Sequence, residues 1–184
     1  MHELDSTHII PYTICLHNHR FAAWAASRAA SGRRCSFSVE LGRELLEKCS
    51  GLTRATEPDQ LPPKAIFDIV HKRWRLAVVE AAKAQSKPFT HGIAAKLINV
   101  YLKSRFVCGG FHAQDSVRFL HPPIDSSLLK TLAELNFGGY GKAWIEHPWT
   151  TLDSEQYEHL IALIRESLRG EPLWKIEEYW KGYQ

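Results

Sequence analysis

Three polar residues share one face of a helix whose other faces are apolar. Lys96, Asn99 and Lys103 lie three and four positions apart in the segment FTHGIAAKLINVYLKSRF, the spacing that brings side chains to one side of a helix. A lysine amine attacks an electrophilic carbon only when it is neutral, and desolvation or a neighbouring cation favours that form. The stripe is either the solvent side of a mostly buried helix or one wall of a reactive cleft, and the periodicity leaves both interpretations open.

The rest of the chain predicts the helices that must position this stripe. Apolar residues recur with helical spacing in seven segments, and capping or breaking residues mark their ends. The predicted helices span about 18–31, 38–49, 63–84, 90–108, 125–135, 153–168 and 172–180. No strand pattern and no internal repeat accompanies them. We therefore predict an all-α fold, a compact bundle of about seven helices forming one unit over residues 1–184.

Composition and charge narrow the class of protein. A chain with 45% apolar and 23% charged residues has an ordinary globular composition, and a net charge of +3 permits an anionic partner without requiring one. The four cysteines form no C-x-x-C pair, and CLHNHR lacks the ligand spacing of a zinc site. No apolar run reaches about 18 residues and the N-terminus lacks a signal-peptide pattern. We expect a cytoplasmic protein with no membrane span, metal or cofactor; the oligomeric state is left open.

Two short segments resemble a known family. HGIAAK, the apolar helix after it and the PPID that opens the next helix resemble the core of the helix-hairpin-helix DNA glycosylases, the 8-oxoguanine glycosylases among them. That family's hairpin typically reads L-P-G-V-G-x-K and is followed by a helix and a P-V-D segment. Gly92 matches the first hairpin glycine, Lys96 the lysine and Asp125 the aspartate, while Ala94 stands where the second glycine usually is. The resemblance covers about residues 88–135 and implies a hairpin-like helix start before a central helix.

The resemblance implies cleavage of the N-glycosidic bond of a modified or damaged base in DNA. Loss of a base passes through an oxocarbenium-like sugar, which a carboxylate stabilises and which an amine attacks to form a Schiff base. Asp125 and Lys96 are the catalytic candidates for these two roles. A close Asp125 would oppose the neutral form of Lys96. Asp125 is equally well placed to cap a helix, and Gly92 to allow a tight helix start or close packing.

DNA binding is expected to involve the hairpin region and a basic segment. Gly92, Asn99 and Lys103 are candidates near the catalytic pair, and Arg73 and Arg75 of HKRWR are candidates for phosphate contacts. The basic residues would otherwise belong to solvated faces. Two further groups have the same two interpretations, as contacts for phosphates and bases or as surface and core residues. They are a second arginine cluster and the aromatic residues of YGKAWIEHPW and LWKIEEYWKGYQ: Arg20, Arg28, Arg33, Arg34, Trp144, Trp149, Trp174, Tyr179 and Trp180. Two alternatives are a non-catalytic helical DNA-binding module and a helical protein-interaction subunit.

Overall fold

The computed structural model describes residues 11–182. Over this range the chain forms seven α-helices, joined by 3-10 and π-helical turns, and no strand. The α-helices are α1 (Ile14–Ala30), α2 (Val39–Glu47), α3 (Lys64–Ala84), α4 (His91–Leu102), α5 (Asp115–Arg118), α6 (Ser126–Glu134) and α7 (Ser154–Leu168). A π-helical segment, Lys103–Phe111, continues α4, and a 3-10 helix, Leu173–Tyr179, follows α7. The predicted all-α class is confirmed for this part of the chain.

The helices differ from the predicted ones in three main respects: where α1 begins, the type of the last helix and the presence of α5. α1 begins earlier than predicted, because the Thr13 hydroxyl accepts a hydrogen bond from the Leu16 amide at 3.2 Å and caps the first turn. The last predicted helix is a 3-10 helix, and Pro172 at its N-cap makes no side-chain hydrogen bond. The short helix α5 was not predicted, since four residues are too few to show a helical period.

The predicted end of the central helix at Gly109 and Gly110 is reached through π-helical turns. The backbone of Gly110 has a φ of 94°. A side chain would clash with the backbone in this left-handed conformation, so glycine is the residue that tolerates it. Gly110 therefore ends the helix, and the chain continues toward α5.

The core consists of two hydrophobic clusters, and α4 lies between them. The first cluster contains residues of α1 to α4 and the connection that follows, and the second contains residues of α6, α7 and the 3-10 helices near them. Most buried apolar residues of α4 belong to the first cluster, whereas Ala95 belongs to the second. Trp149 packs against both. The alanine-rich face predicted for α1 packs closely against α4, as small side chains allow: Ala22, Ala23, Ala26 and Ala30 are buried.

The polar stripe of α4 is enclosed by its neighbours. Lys96 and Asn99 are buried and Lys103 is half-buried. Their partners come from α3, the N-cap of α6, α7, the connection before α6 and the C-terminal 3-10 helix. The interpretation of this stripe as a solvent-exposed face is therefore wrong. It is wrong because α4 packs against neighbours on this side as well as on its apolar sides.

Candidate active site

The start of α4 is fixed by a cap and by a close backbone contact. The hydroxyl of Thr90 accepts a hydrogen bond from the Ile93 amide at 3.2 Å. Gly92 lies directly against the Trp149–Leu152 turn, where an added Cβ would come within 1.8 Å of the Trp149 carbonyl oxygen, and its amide donates to the Leu152 carbonyl at 3.2 Å. Gly92 thus permits close packing of the turn on the helix, which holds Lys96 one turn further along.

Lys96 and Asp125 meet in one buried ion pair. The Lys96 Nζ donates to Asp125 Oδ2 at 2.7 Å, and the two side chains are 7% and 19% exposed. Asp125 is also the N-cap of α6, because its Oδ1 accepts from the Leu128 amide at 3.0 Å. The Trp180 indole donates to the same Oδ2 as Lys96, at 3.0 Å. The carboxylate therefore caps the helix and binds the amine at the same time.

Burial and pairing act in opposite directions on the amine. The pKa of Lys96 lies below its usual value, because burial disfavours the ammonium more than the neighbouring Asp125 carboxylate favours it. The pKa of Asp125 is also lowered: burial raises it, but Lys96, the Leu128 amide and the Trp180 indole together outweigh that effect. The site thus holds a carboxylate in its charged form beside an amine that releases a proton more readily than a free lysine does.

Aromatic rings and a second ion pair surround the Lys96–Asp125 pair. The Lys96 Nζ lies 5.7 Å from the centroid of the Trp149 ring, and the Lys103 Nζ lies 5.6 Å from that of Trp180. Lys103 donates to the carboxylate of Glu177 in the C-terminal 3-10 helix. Burial raises the pKa of Glu177, and the Lys103 charge opposes that shift. The C-terminal helix and Trp180 therefore cover the catalytic candidates on one side.

Asn99 belongs to a different set of contacts. Its carbonyl oxygen accepts from His71 Nε2 at 2.8 Å, and its amide group donates to the Pro122 carbonyl and to the Tyr157 hydroxyl, each at 2.9 Å. Tyr157 in turn bonds His121 Nδ1 at 3.0 Å. Because Asn99 is fully buried and its side chain is occupied by these partners, it is not accessible to DNA in this structure.

The interior network continues to the surface through an acid and an arginine. His121 Nε2 lies 3.0 Å from Asp68 Oδ1, and Arg165 binds both oxygens of Asp68 at 2.6 and 2.7 Å. The rings of His71 and His121 are 4.4 Å apart, and both are buried. The sequence signal for His71 was its position on the inward face of α3, at helical spacing from Phe67 and Trp74.

The two arginines of HKRWR have opposite environments. The side chain of Arg75 is 1% exposed, donates to Glu158 at 2.8 Å and stacks over the Tyr157 ring at 4.3 Å. Arg73 is exposed, on the same face of α3 as the exposed side chains of Ile69 and Leu76. Of the two candidates, Arg73 is therefore the one placed to reach a phosphate.

Three clefts among the described residues do not include the ion pair. The largest of three clefts has a volume of about 790 Å³ and lies between the start of α3, α5 and the segment after α7. Neither Lys96 nor Asp125 lines any of these three clefts. Within residues 11–182 no group of three or more His, Cys, Asp or Glu side chains is arranged to hold a metal ion. Every helix in the same range is too short or too polar to cross a membrane.

Comparisons with known proteins add no family to this description. No family model, curated protein or solved structure matches the chain. The geometry around Lys96 and the short motifs that contain it are therefore what bears on function.

Proposed function

We propose that the protein is a DNA glycosylase-like enzyme that cleaves the N-glycosidic bond of a modified or damaged base. One observation supports this proposal above the others: the Lys96 Nζ and the Asp125 Oδ2, 29 positions apart in the chain, lie 2.7 Å from each other in a largely buried site. An amine and a carboxylate at this distance can both reach one anomeric carbon, since catalytic groups act from about 3–3.5 Å.

The protons of the ion pair are sufficient for the reaction. One proton of the Lys96 ammonium passes to Asp125 and from there to the departing base, which leaves with the electrons of the C1′–N bond. The neutral amine attacks C1′ while the Asp125 carboxylate stabilises the cationic sugar. A second amine proton moves to O4′ as the ring opens, and the third remains on the resulting protonated Schiff base. No outside acid is required for these steps.

Access to the amine requires a change at the C-terminal helix. Trp180 and the Lys103–Glu177 pair lie over the site in this structure. DNA must displace Trp180 from Asp125 before C1′ can approach Lys96. The displaced indole and the neighbouring Trp149 then offer aromatic faces to an extruded base, and base flipping requires such a stacking surface.

Borohydride trapping tests the proposal directly. The full chain is incubated with duplexes that each carry one modified base, such as 8-oxoguanine or uracil, and borohydride then reduces any Schiff base to a stable covalent complex. We expect trapping on at least one duplex and its loss in Lys96→Gln. Lys130→Gln is the matched control, because Lys130 is an exposed lysine on α6.

The outcomes separate the proposal from its alternatives. Trapping that persists in Lys96→Gln assigns the nucleophile to another amine and refutes this site. Salt-dependent DNA binding with neither trapping nor base release identifies a non-catalytic DNA-binding module. Absence of DNA binding leaves the helical protein-interaction subunit as the remaining alternative.

A further inference from the structure

The outer face of α1 carries aromatic side chains that the core leaves exposed. Ile14, His17, Phe21, Trp24 and Arg28 lie three and four positions apart, so they form one stripe on the side of α1 away from its buried alanines. Phe21 is 56% exposed and Trp24 is 51% exposed. Their ring centroids are 5.8 Å apart and their planes are tilted by 35°. These two rings make one continuous aromatic patch.

Positive charge accompanies this patch. The sequence between Asp5 and Glu40 contains no acidic residue. Its arginines are all exposed: Arg20, Arg28, Arg33 and Arg34. The Arg20 guanidinium lies 5.3 Å from the centroid of the Tyr12 ring, which is also exposed. An exposed surface that combines aromatic rings with several arginines is complementary to a polyanion that has flat apolar groups.

We propose that the outer face of α1, formed by Arg20, Phe21, Trp24 and Arg28, binds a single-stranded nucleic acid. Unpaired bases have free π-faces that stack on Phe21 and Trp24, whereas the bases of a duplex are already stacked on each other. Arg20 and Arg28, on the same helix, are placed to contact the flanking phosphates.

A second copy of the chain is a poorer occupant of this face. Helices that pair through the stripe would bring Arg20 and Arg28 of both copies together, and α1 has no acidic residue to offset them. Single-stranded nucleic acid meets the same charges with phosphates. Charge complementarity therefore favours the nucleic acid.

This surface is separate from the Lys96 site. α1 packs against α4 through its alanine face, and the aromatic stripe lies on the opposite side of α1. Binding at α1 can therefore be present when trapping at Lys96 is absent, and the reverse. Failure of either proposal leaves the other standing.

The test measures the affinity of the full chain for labelled oligothymidylate, oligouridylate and a mixed-sequence duplex by fluorescence anisotropy. Trp24→Ala is expected to weaken binding of the single strands about 5- to 150-fold, the range for loss of one base–aromatic stack. Trp24→Phe should restore most of the affinity. Ile69→Ala is the matched control, because Ile69 is 54% exposed on α3 and is not aromatic.

A second pair of variants tests whether the positive charge of Arg28 contacts a phosphate. Arg28→Gln is expected to reduce the slope of log affinity against log salt by about 0.7, the contribution of one phosphate contact on a single strand. Arg54→Gln, at an exposed arginine outside α1, should leave the slope unchanged. Binding of both single strands supports a site that ignores the sugar, and preference for one of them identifies DNA or RNA as the ligand.

Three results would overturn the proposal. The duplex could bind as tightly as the single strands, Trp24→Ala could match Ile69→Ala, or the face could prove to mediate self-association. The last is detected by light scattering of the wild type and Trp24→Ala in the absence of nucleic acid.

Discussion

Replacement of Asp125 by asparagine isolates the electrostatic part of the candidate site. The Asp125 carboxylate accepts from the Leu128 amide with one oxygen and from Lys96 and Trp180 with the other. An asparagine has a single side-chain oxygen, so Asp125→Asn must either keep the cap and turn an amide N–H toward two donors, or keep the donors satisfied and lose the cap. In both cases the buried Lys96 ammonium loses its counter-charge.

The expected loss of stability is large at neutral pH and shrinks as pH rises. Breaking a buried ion pair costs about 3–5 kcal/mol, and we expect the lower end, about 3 kcal/mol, because Asp125 is partly exposed. Burial already lowers the pKa of Lys96 from 10.5, and loss of Asp125 lowers it further. The unfolded state then binds more protons than the folded state between the two pKa values, so stability rises with pH in that window. The slope is at most about 1.4 kcal/mol per pH unit.

Urea unfolding followed by tryptophan fluorescence at about pH 7 and about pH 9 measures this effect. We expect the deficit of Asp125→Asn relative to wild type to be clearly smaller at the higher pH. Lys96→Met combined with Asp125→Asn should cost less than the sum of the single changes, since the double variant leaves no unpaired charge. Asp153→Asn is the matched control, because Asp153 caps α7 through the Gln156 amide at 2.9 Å and has no buried lysine partner.

A pH-independent deficit would refute this reasoning. It would mean that the Lys96 ammonium is solvated well enough to stay charged without Asp125. Additive single changes would lead to the same conclusion. A pH dependence of equal size in Asp153→Asn would assign the effect to capping instead.

Three other perturbations have expected outcomes. Gly92→Ala should destabilise the protein by about 3 kcal/mol in urea unfolding, because the new methyl group meets the Trp149 backbone and the turn must move. Burial lowers the pKa of His71 and His121 below 6.5, so the unfolded state takes up protons first as pH falls. From about pH 7.5 to about pH 5.5 the two histidines should together remove at most about 2.7 kcal/mol of stability, the limit in which both stay neutral in the folded state, and His71→Gln should reduce that dependence. Arg73→Glu should weaken duplex binding equally across sequences in anisotropy titrations, and an unchanged affinity would exclude this arginine from the DNA surface.

The periodicity of apolar residues was sufficient to predict the class of fold and most helices. It could not predict the surroundings of the polar stripe on α4. A polar residue three or four positions from another marks a common face, but the pattern does not say whether that face meets water or a neighbouring element. Asn99 shows the difference, since its partners His71 and Tyr157 lie 28 and 58 positions away in the chain.

The resemblance to the helix-hairpin-helix glycosylases predicts that Lys96 and Asp125 act at one site. The structure adds that their side chains form an ion pair. The same short motif gave no information on Trp180, which bonds Asp125 from 55 positions away. Arg75 shows a different limit of sequence reasoning. A basic residue in a basic segment is usually solvated, yet the inward spacing of α3 carries Arg75 into the core with Glu158 as partner.

The burial of the stripe varies along α4, and this variation bears on how the site could open. Asn99 in the middle is fully buried and joins α4 to α3, α7 and the connection before α6. Lys103 at the end is 30% exposed, and its partner belongs to the C-terminal 3-10 helix. Three-ten helices have poorer hydrogen-bond geometry than α-helices. Displacement of this helix breaks the contacts of Glu177 with Lys103 and of Trp180 with Asp125, whereas disruption of the Asn99 contacts would separate α4 from three neighbouring segments. Under the proposed function, DNA would uncover Lys96 by moving Trp180 and Glu177 while the Asn99 network keeps α4 in register with the elements around it.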